Sequence, residues 1–244
     1  MTRVPAGVVT DRTVLQHSAT GGSLRLAVFD CDGTLVDSQH TIVATMHVAC
    51  DMVGAGRPDA LAVRRIIGLP LLGAIAQLLP ESPPDVHDRI CEAYKAHFSA
   101  TRQTGAHREE LYPGIAGCID VLDRQGWLLG IATGKSTRGL TATLGVHGLL
   151  ERFCTLQTAD VAIGKPNPDM LLQAMSQTGC EPTATVMIGD TTFDMEMARS
   201  AGTRAVGVGW GYHDPADLMA AGAETVVTHG DELAAVLRDM LENA

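Results

Sequence analysis

Six short apolar runs punctuate the chain: LRLAVFD (24–30), WLLGIAT (127–133), FCTLQ (153–157), ATVMIGD (184–190), TRAVGVG (203–209) and ETVVT (224–228). Each is strand length and nearly continuous in apolar residues, the pattern of strands covered on both faces. Between them STRGLTATLGV (136–146), PDMLLQAMSQ (168–177), FDMEMARSA (193–201), PADLMAA (215–221) and DELAAVLRDMLE (231–242) carry apolar residues at helical spacing. Strands alternating with helices predict an α/β fold, a Rossmann-like parallel sheet with helices on both faces.

The pattern changes between Ile42 and Ser99. TIVATMHVACDMV, DALAVRRII, LLGAIAQLL and DVHDRICEAYKAHFSAT are all helical in period, separated by GAGRP, GLP and PESPP. Those Gly- and Pro-rich breaks stop helices. The stretch predicts an all-helical unit inserted after the first strand. The expected organisation is a loose N-terminal extension over 1–23, a core built from 24–38 and 112–244, and the helical insertion over 39–111. The extension has no continuous apolar h-region of the kind a secretory signal carries.

The total of 244 residues, 45% of them hydrophobic, is ample for a sizeable core. A net charge of −10 argues against nucleic acid and anionic membrane surfaces as partners. It leaves room for a small anionic metabolite, because a metal or a few cations reverse the field inside one pocket. The six cysteines are scattered singly, with no CxxC pair, and read as reduced thiols of a cytoplasmic protein. No apolar run is long enough to span a bilayer. No interface patch stands out, so the sequence assigns no oligomeric state.

Ligands of open parallel sheets bind beyond the carboxyl ends of the strands. Four such regions here end in polar residues. AVFDCDGT ends in Asp30 and Asp32, two residues apart and facing one pocket, then turns through Gly33 and Thr34, whose backbone N–H groups suit an anion. Close carboxylates repel unless a cation or a proton intervenes. IATGKS offers the hydroxyl of Thr133 and, in Gly134, a residue that lets a ligand approach the backbone. IGKPNPD holds Lys165 beside a proline, a counter-ion for carboxylates and an anion, whereas Lys135 has the weaker claim and reads as a surface charge. IGDTTFD supplies Asp190 and Asp194, suited to a hard divalent cation, with helix capping an equal alternative for Asp194. The set fits phosphoryl transfer through an acyl phosphate: one carboxylate attacks, a metal and a lysine neutralise the phosphate, and a second acid moves the proton.

FDCDGT, ATG, GKPNPD and GDTTFD, in that order, resemble the four motifs of the haloacid dehalogenase superfamily, in its phosphatase branch. The resemblance covers Leu24 to the C-terminus. It implies a Rossmann-like core with a helical cap, and it implies Asp30 as nucleophile and Asp32 as general acid/base. Gly33, Thr34, Thr133, Gly134 and Lys165 would bind the phosphoryl group. Asp30, Asp32 through its backbone carbonyl, and Asp190 would hold Mg²⁺, with Asp194 supporting. RRIIGLPLLGAIAQLL (64–79) is similar to the caps of phosphoglycolate phosphatases, in which the turn around Gly68 reaches over the site, making phosphoglycolate the leading substrate expectation. A pyrophosphatase or nucleotidase uses the same machinery. A sugar phosphomutase is less favoured, since Ile42 stands where its relay histidine is expected and His40 is out of register. A non-catalytic binding protein would have lost one of the four key residues, and none is lost.

Overall fold

The structure, a computed structural model, describes residues 24–103 and 109–242. The N-terminal extension expected over 1–23 lies outside them.

The main sheet has six strands: β1 (Leu26–Phe29), β4 (Leu128–Thr133), β5 (Thr155–Thr158), β6 (Thr185–Gly189), β7 (Arg204–Val208) and β8 (Thr225–Val227). Their order is β5-β4-β1-β6-β7-β8, and every pairing is parallel. Successive residues of β1 face opposite sides. Ala27 and Phe29 join the core with Ile131, Ile188 and Val206, while Leu26 and Val28 join Leu128, Met187 and Met195 on the other face. That two-sided burial is why the strands read as unbroken apolar runs.

One face is covered by α5 (Ile115–Arg124), α6 (Thr137–Val146) and α10 (Leu233–Glu242), the other by α7 (Asp169–Thr178), α8 (Thr192–Ala201) and α9 (Pro215–Ala221). The helix α5 is absent from the elements expected above. Its apolar stripe is nevertheless regular: Ile115, Cys118, Ile119 and Leu122 are all buried.

The helical insertion consists of α1 (Gln39–Val53), α2 (Ala60–Arg65), α3 (Leu71–Leu78) and α4 (Pro84–Gln103). It has its own core, with Ile42, Met46, Ala49, Val63, Ile67, Ile75 and Ile90 packed together. Two connections join it to the sheet, and they pair with each other as a two-residue antiparallel ribbon, β2 (Val36–Asp37) with β3 (Glu110–Leu111). The ribbon ties the end of the insertion to the segment before it, so Glu110 and Leu111 sit beside the core side of the first connection.

The insertion is seated on the core. A Cβ at Gly134 would lie 3.0 Å from the carbonyl oxygens of Gly68 and Leu69, and one at Gly164 would overlap the Pro70 ring. His213, after β7, accepts from the Thr192 N–H at 3.1 Å through Nδ1 and donates through Nε2 to the Arg65 carbonyl at 3.0 Å. Gly134 was expected to admit a ligand to the backbone; the group that approaches it here is the turn of the insertion.

Candidate active site

The strand β1 lies between β4 and β6, at the point where the chain order of the sheet reverses. The C-terminal ends of these three neighbours bring together Asp30, Thr133 and Asp190, residues that are far apart in sequence.

Asp30 is buried. Its Oδ1 accepts from the Cys31 N–H at 2.6 Å and lies 2.8 Å from Lys165 Nζ, while Oδ2 is buried with no hydrogen-bond partner. Burial, opposed by Lys165, pushes its carboxyl up to about 7. The Lys165 side chain is fully buried and also meets Asp194 Oδ1 at 2.6 Å. Burial alone would lower its ammonium, but Asp194 and Asp30 together hold it above the ordinary lysine range.

Asp190 accepts from the Thr34 hydroxyl at 2.8 Å and from the Tyr212 N–H at 2.9 Å. Burial pushes its carboxyl well above the usual range, and the charges of Asp30 and Asp194 push the same way. Asp194 is both a cap and a member of the cluster. Its Oδ2 accepts from the N–H and hydroxyl of Thr191 at 3.0 and 2.7 Å, closing a capping box on α8. Its Oδ1 is held by Lys165.

Two expectations need correction. The Gly33 N–H is not free for an anion, since it donates to the Val36 carbonyl at 2.9 Å. Gly33 is required for another reason: its φ is +86° and a Cβ there would overlap the Asp190 carboxylate. Lys135 is no surface charge. Its side chain is 7% exposed, and Nζ bridges Asp32 Oδ1 at 2.7 Å and Glu109 Oε1 at 3.0 Å. The carboxylate of Asp32, held by Lys135 and by the Ser38 hydroxyl, stands outside the acid cluster, which leaves only its backbone as a contributor there. The Thr34 hydroxyl is likewise committed, to Asp190, leaving its backbone N–H for an anion.

Several supporting residues went unrecognised in the sequence. Glu109 holds Lys135 and is itself held by the Thr143 hydroxyl at 2.6 Å. Burial would raise its carboxyl, but Lys135 and Thr143 hold it below the usual range. Tyr212 reaches the Ser38 hydroxyl at 3.2 Å, and Trp210 donates to the Thr34 carbonyl at 3.2 Å. The only sequence signal for this pair is an aromatic cluster, WGY, directly after a strand end. Ile42 lines the cavity above the site, and His40 is exposed.

Asp30, Asp190 and Asp194 each offer a carboxylate oxygen, all within 4.8 Å of one another. One ammonium, Lys165, stands against these three acids, and one oxygen of Asp30 is left buried and unpartnered. Oxygen ligands with excess negative charge fit a hard divalent cation.

A carboxyl at about 7 in the fold and 3.8 in the unfolded chain binds its proton preferentially in the fold. The stability it contributes is complete below 3.8 and is lost as pH rises through 7. The metal-free protein should therefore melt at lower temperature at pH 8 than at pH 5. Mg²⁺ competes with those protons, so its stabilising shift should be larger at pH 8. Melting curves with and without Mg²⁺ at both pH values check this, and the absence of any Mg²⁺ shift at pH 8 would remove the cation from the site.

Residues 27–208 match the family model described as "Haloacid dehalogenase-like hydrolase". The chain belongs to the haloacid dehalogenase-like hydrolases. Among its relatives is a Dickeya dadantii protein described as "Probable phosphatase IndB", 35% identical over 220 residues, 89% of this chain and 95% of that one. A phosphoglycolate phosphatase of Vibrio vulnificus is 29% identical over 230 residues, covering 92% of this chain and all of the other. A hydrolase from Pseudomonas syringae has a similar crystal structure, with a TM-score of 0.78 and 26% identity over 89% of this chain and 99% of that one. This hydrolase is accordingly a phosphatase of the family.

Proposed function

We propose that the enzyme hydrolyses small phosphomonoesters with Mg²⁺ through an aspartyl-phosphate on Asp30. The observation that carries this reading is the unpartnered, buried Oδ2 of Asp30 beside Lys165, at the base of a cavity that Asp32 and Thr133 also line. A carboxylate oxygen of Asp30 attacks phosphorus, the ester P–O bond breaks, and Asp32 gives its proton to the leaving oxygen. Asp32 then takes a proton from water, which attacks phosphorus, and the P–O bond to Asp30 breaks to release phosphate. Lys165 and Thr133 hold the phosphoryl oxygens, aided by the backbone N–H groups of Asp32 and Thr34. Asp30, Asp190 and the Asp32 carbonyl would hold the cation, with Asp194 fixing Lys165. When bound, the cation supplies charge neutralisation for the phosphate oxygens.

In this reading residues 39–111 form a cap over a core of 24–38 and 112–244. The partner is a small phosphorylated metabolite rather than nucleic acid or membrane, in keeping with the net charge of −10. No described helix is long and apolar enough to cross a membrane. Six buried free cysteines support a cytoplasmic location. Phosphoglycolate, named for the Vibrio relative, is the reference substrate.

Phosphate release from a panel of phosphomonoesters is the test. Release with Mg²⁺ that stops on exhaustive chelation and returns with Mg²⁺ is expected. Activity surviving chelation would remove the metal from the mechanism, and no release from any ester would sink the phosphatase reading.

A further inference from the structure

We infer that the substrate is a phosphomonoester with a largely apolar body and a second anionic group, read by Arg102. The inference rests on the phosphatase reading above and concerns what lies beyond the phosphate.

The insertion is already seated, with the carbonyls of Gly68 and Leu69 against Gly134 and Pro70 against Gly164. The space between insertion and core is therefore that of the closed arrangement. It measures about 530 Å³, and Asp30, Asp32 and Thr133 line it. Cavities of roughly 300–1,000 Å³ enclose drug-sized ligands. A two-carbon phosphoester would fill little of that volume and leave the remainder as water against hydrocarbon.

Most of the wall is apolar, from Ile42, Met46, Ile67, Leu69, Tyr94 and Phe98, with Lys95, Ser99, Ser136, Arg138 and Asp160 also lining the cavity. The rings of Tyr94 and Phe98 are stacked on α4, centroids 5.7 Å apart and 16° from parallel. Each sugar hydroxyl placed against such walls without a partner would cost about 1–3 kcal/mol. A hydrocarbon or aromatic body loses no hydrogen bonds there and gains contact with the aliphatic side chains and the ring edges, Tyr94, Arg102 and Lys135 standing over the Phe98 ring itself.

Arg102 lies one helical turn beyond Phe98, with its guanidinium carbon 5.0 Å from the centre of the Phe98 ring. Its Nη2 is buried without a hydrogen-bond partner, and the side chain lines the same cavity. Glu109 answers part of the Arg102 charge through space, but the buried nitrogen still lacks an acceptor, and a carboxylate or second phosphate on the ligand supplies one.

The test compares kcat/KM for four esters of primary alcohols, so that the leaving oxygen stays similar: phosphoglycolate, glucose 6-phosphate, 2-naphthylmethyl phosphate and 6-carboxy-2-naphthylmethyl phosphate. The carboxylated naphthyl ester is expected to rank first, and both naphthyl esters to exceed the two small polar ones by about tenfold or more. Arg102→Gln should erase the difference between the two naphthyl esters. Phe98→Ala should lower both relative to phosphoglycolate. Binding of the naphthyl esters to Asp30→Asn, followed by naphthalene fluorescence, reads the pocket without turnover. Phosphoglycolate or glucose 6-phosphate ranking first, or turnover of either with no naphthyl binding, would overturn the inference and keep the phosphatase. Naphthyl binding without phosphate release from any ester would overturn the phosphatase and keep the pocket.

Discussion

Asp30→Asn should lower turnover on the order of 10⁴-fold or more, the scale set by removal of a catalytic nucleophile, and should abolish the trapped phosphoenzyme. An amide is the same size as a carboxylate and can still accept from Lys165, which keeps its second partner in Asp194 at 2.6 Å. What it lacks is the anionic oxygen that attacks. Stability should move the other way. Burial pushes the Asp30 carboxyl to about 7, so the metal-free fold near neutral pH holds a charge it resists. Replacing it with a neutral group should raise the melting temperature of the metal-free protein at pH 8, and the stabilising effect of Mg²⁺ should shrink. A variant with lost activity and raised stability separates nucleophile removal from misfolding. Near-normal turnover would end the covalent mechanism.

What could be read from the chain divides by range. Strands buried on both faces announce themselves in any short window, and the six expected ones form the sheet. The four acids lie in two short motifs, each at a strand end, so the clustering of Asp30, Asp190 and Asp194 needed only the rule that parallel strands end together. The helix α5 is legible by its helical spacing, Ile115, Cys118, Ile119 and Leu122 marking one face. The ribbon β2–β3 was not legible, because two residues carry no period and the strand partners are 73 positions or more apart. Lys135 is the instructive case. A lysine after a glycine in a polar loop looks exposed, and only the fold delivers Glu109 from the far end of the insertion and Asp32 from the first motif to either side of it. Ser38 and Tyr212 are of the same kind, single polar residues whose role is set by a partner brought from elsewhere in the chain.

Lys165 carries the second large effect. Among the described residues it is the one ammonium in contact with Asp30 and Asp194, and its side chain is fully buried. Removing one partner of a buried ion pair leaves an uncompensated charge and costs about 3–5 kcal/mol. Lys165→Met should therefore lower the melting temperature markedly, and the loss should grow with pH. The sign follows from Asp30. Lys165 is the group that lowers its carboxyl against burial, so in the variant the folded-state value rises above the wild-type value of about 7. A raised carboxyl stabilises fully below its unfolded value and loses that contribution as pH rises through the folded one, so the window of declining stability extends further into the alkaline range. Mg²⁺ should recover part of the melting temperature, because a divalent cation answers the same excess of carboxylate. It should not recover turnover, because the ammonium is also the proposed ligand of the phosphoryl oxygens. Melting temperature and turnover measured against pH, with and without Mg²⁺, distinguish these roles. A variant as stable as wild type at pH 8 would remove the lysine from the charge balance of the cluster, and full recovery of turnover by Mg²⁺ would remove it from phosphate binding.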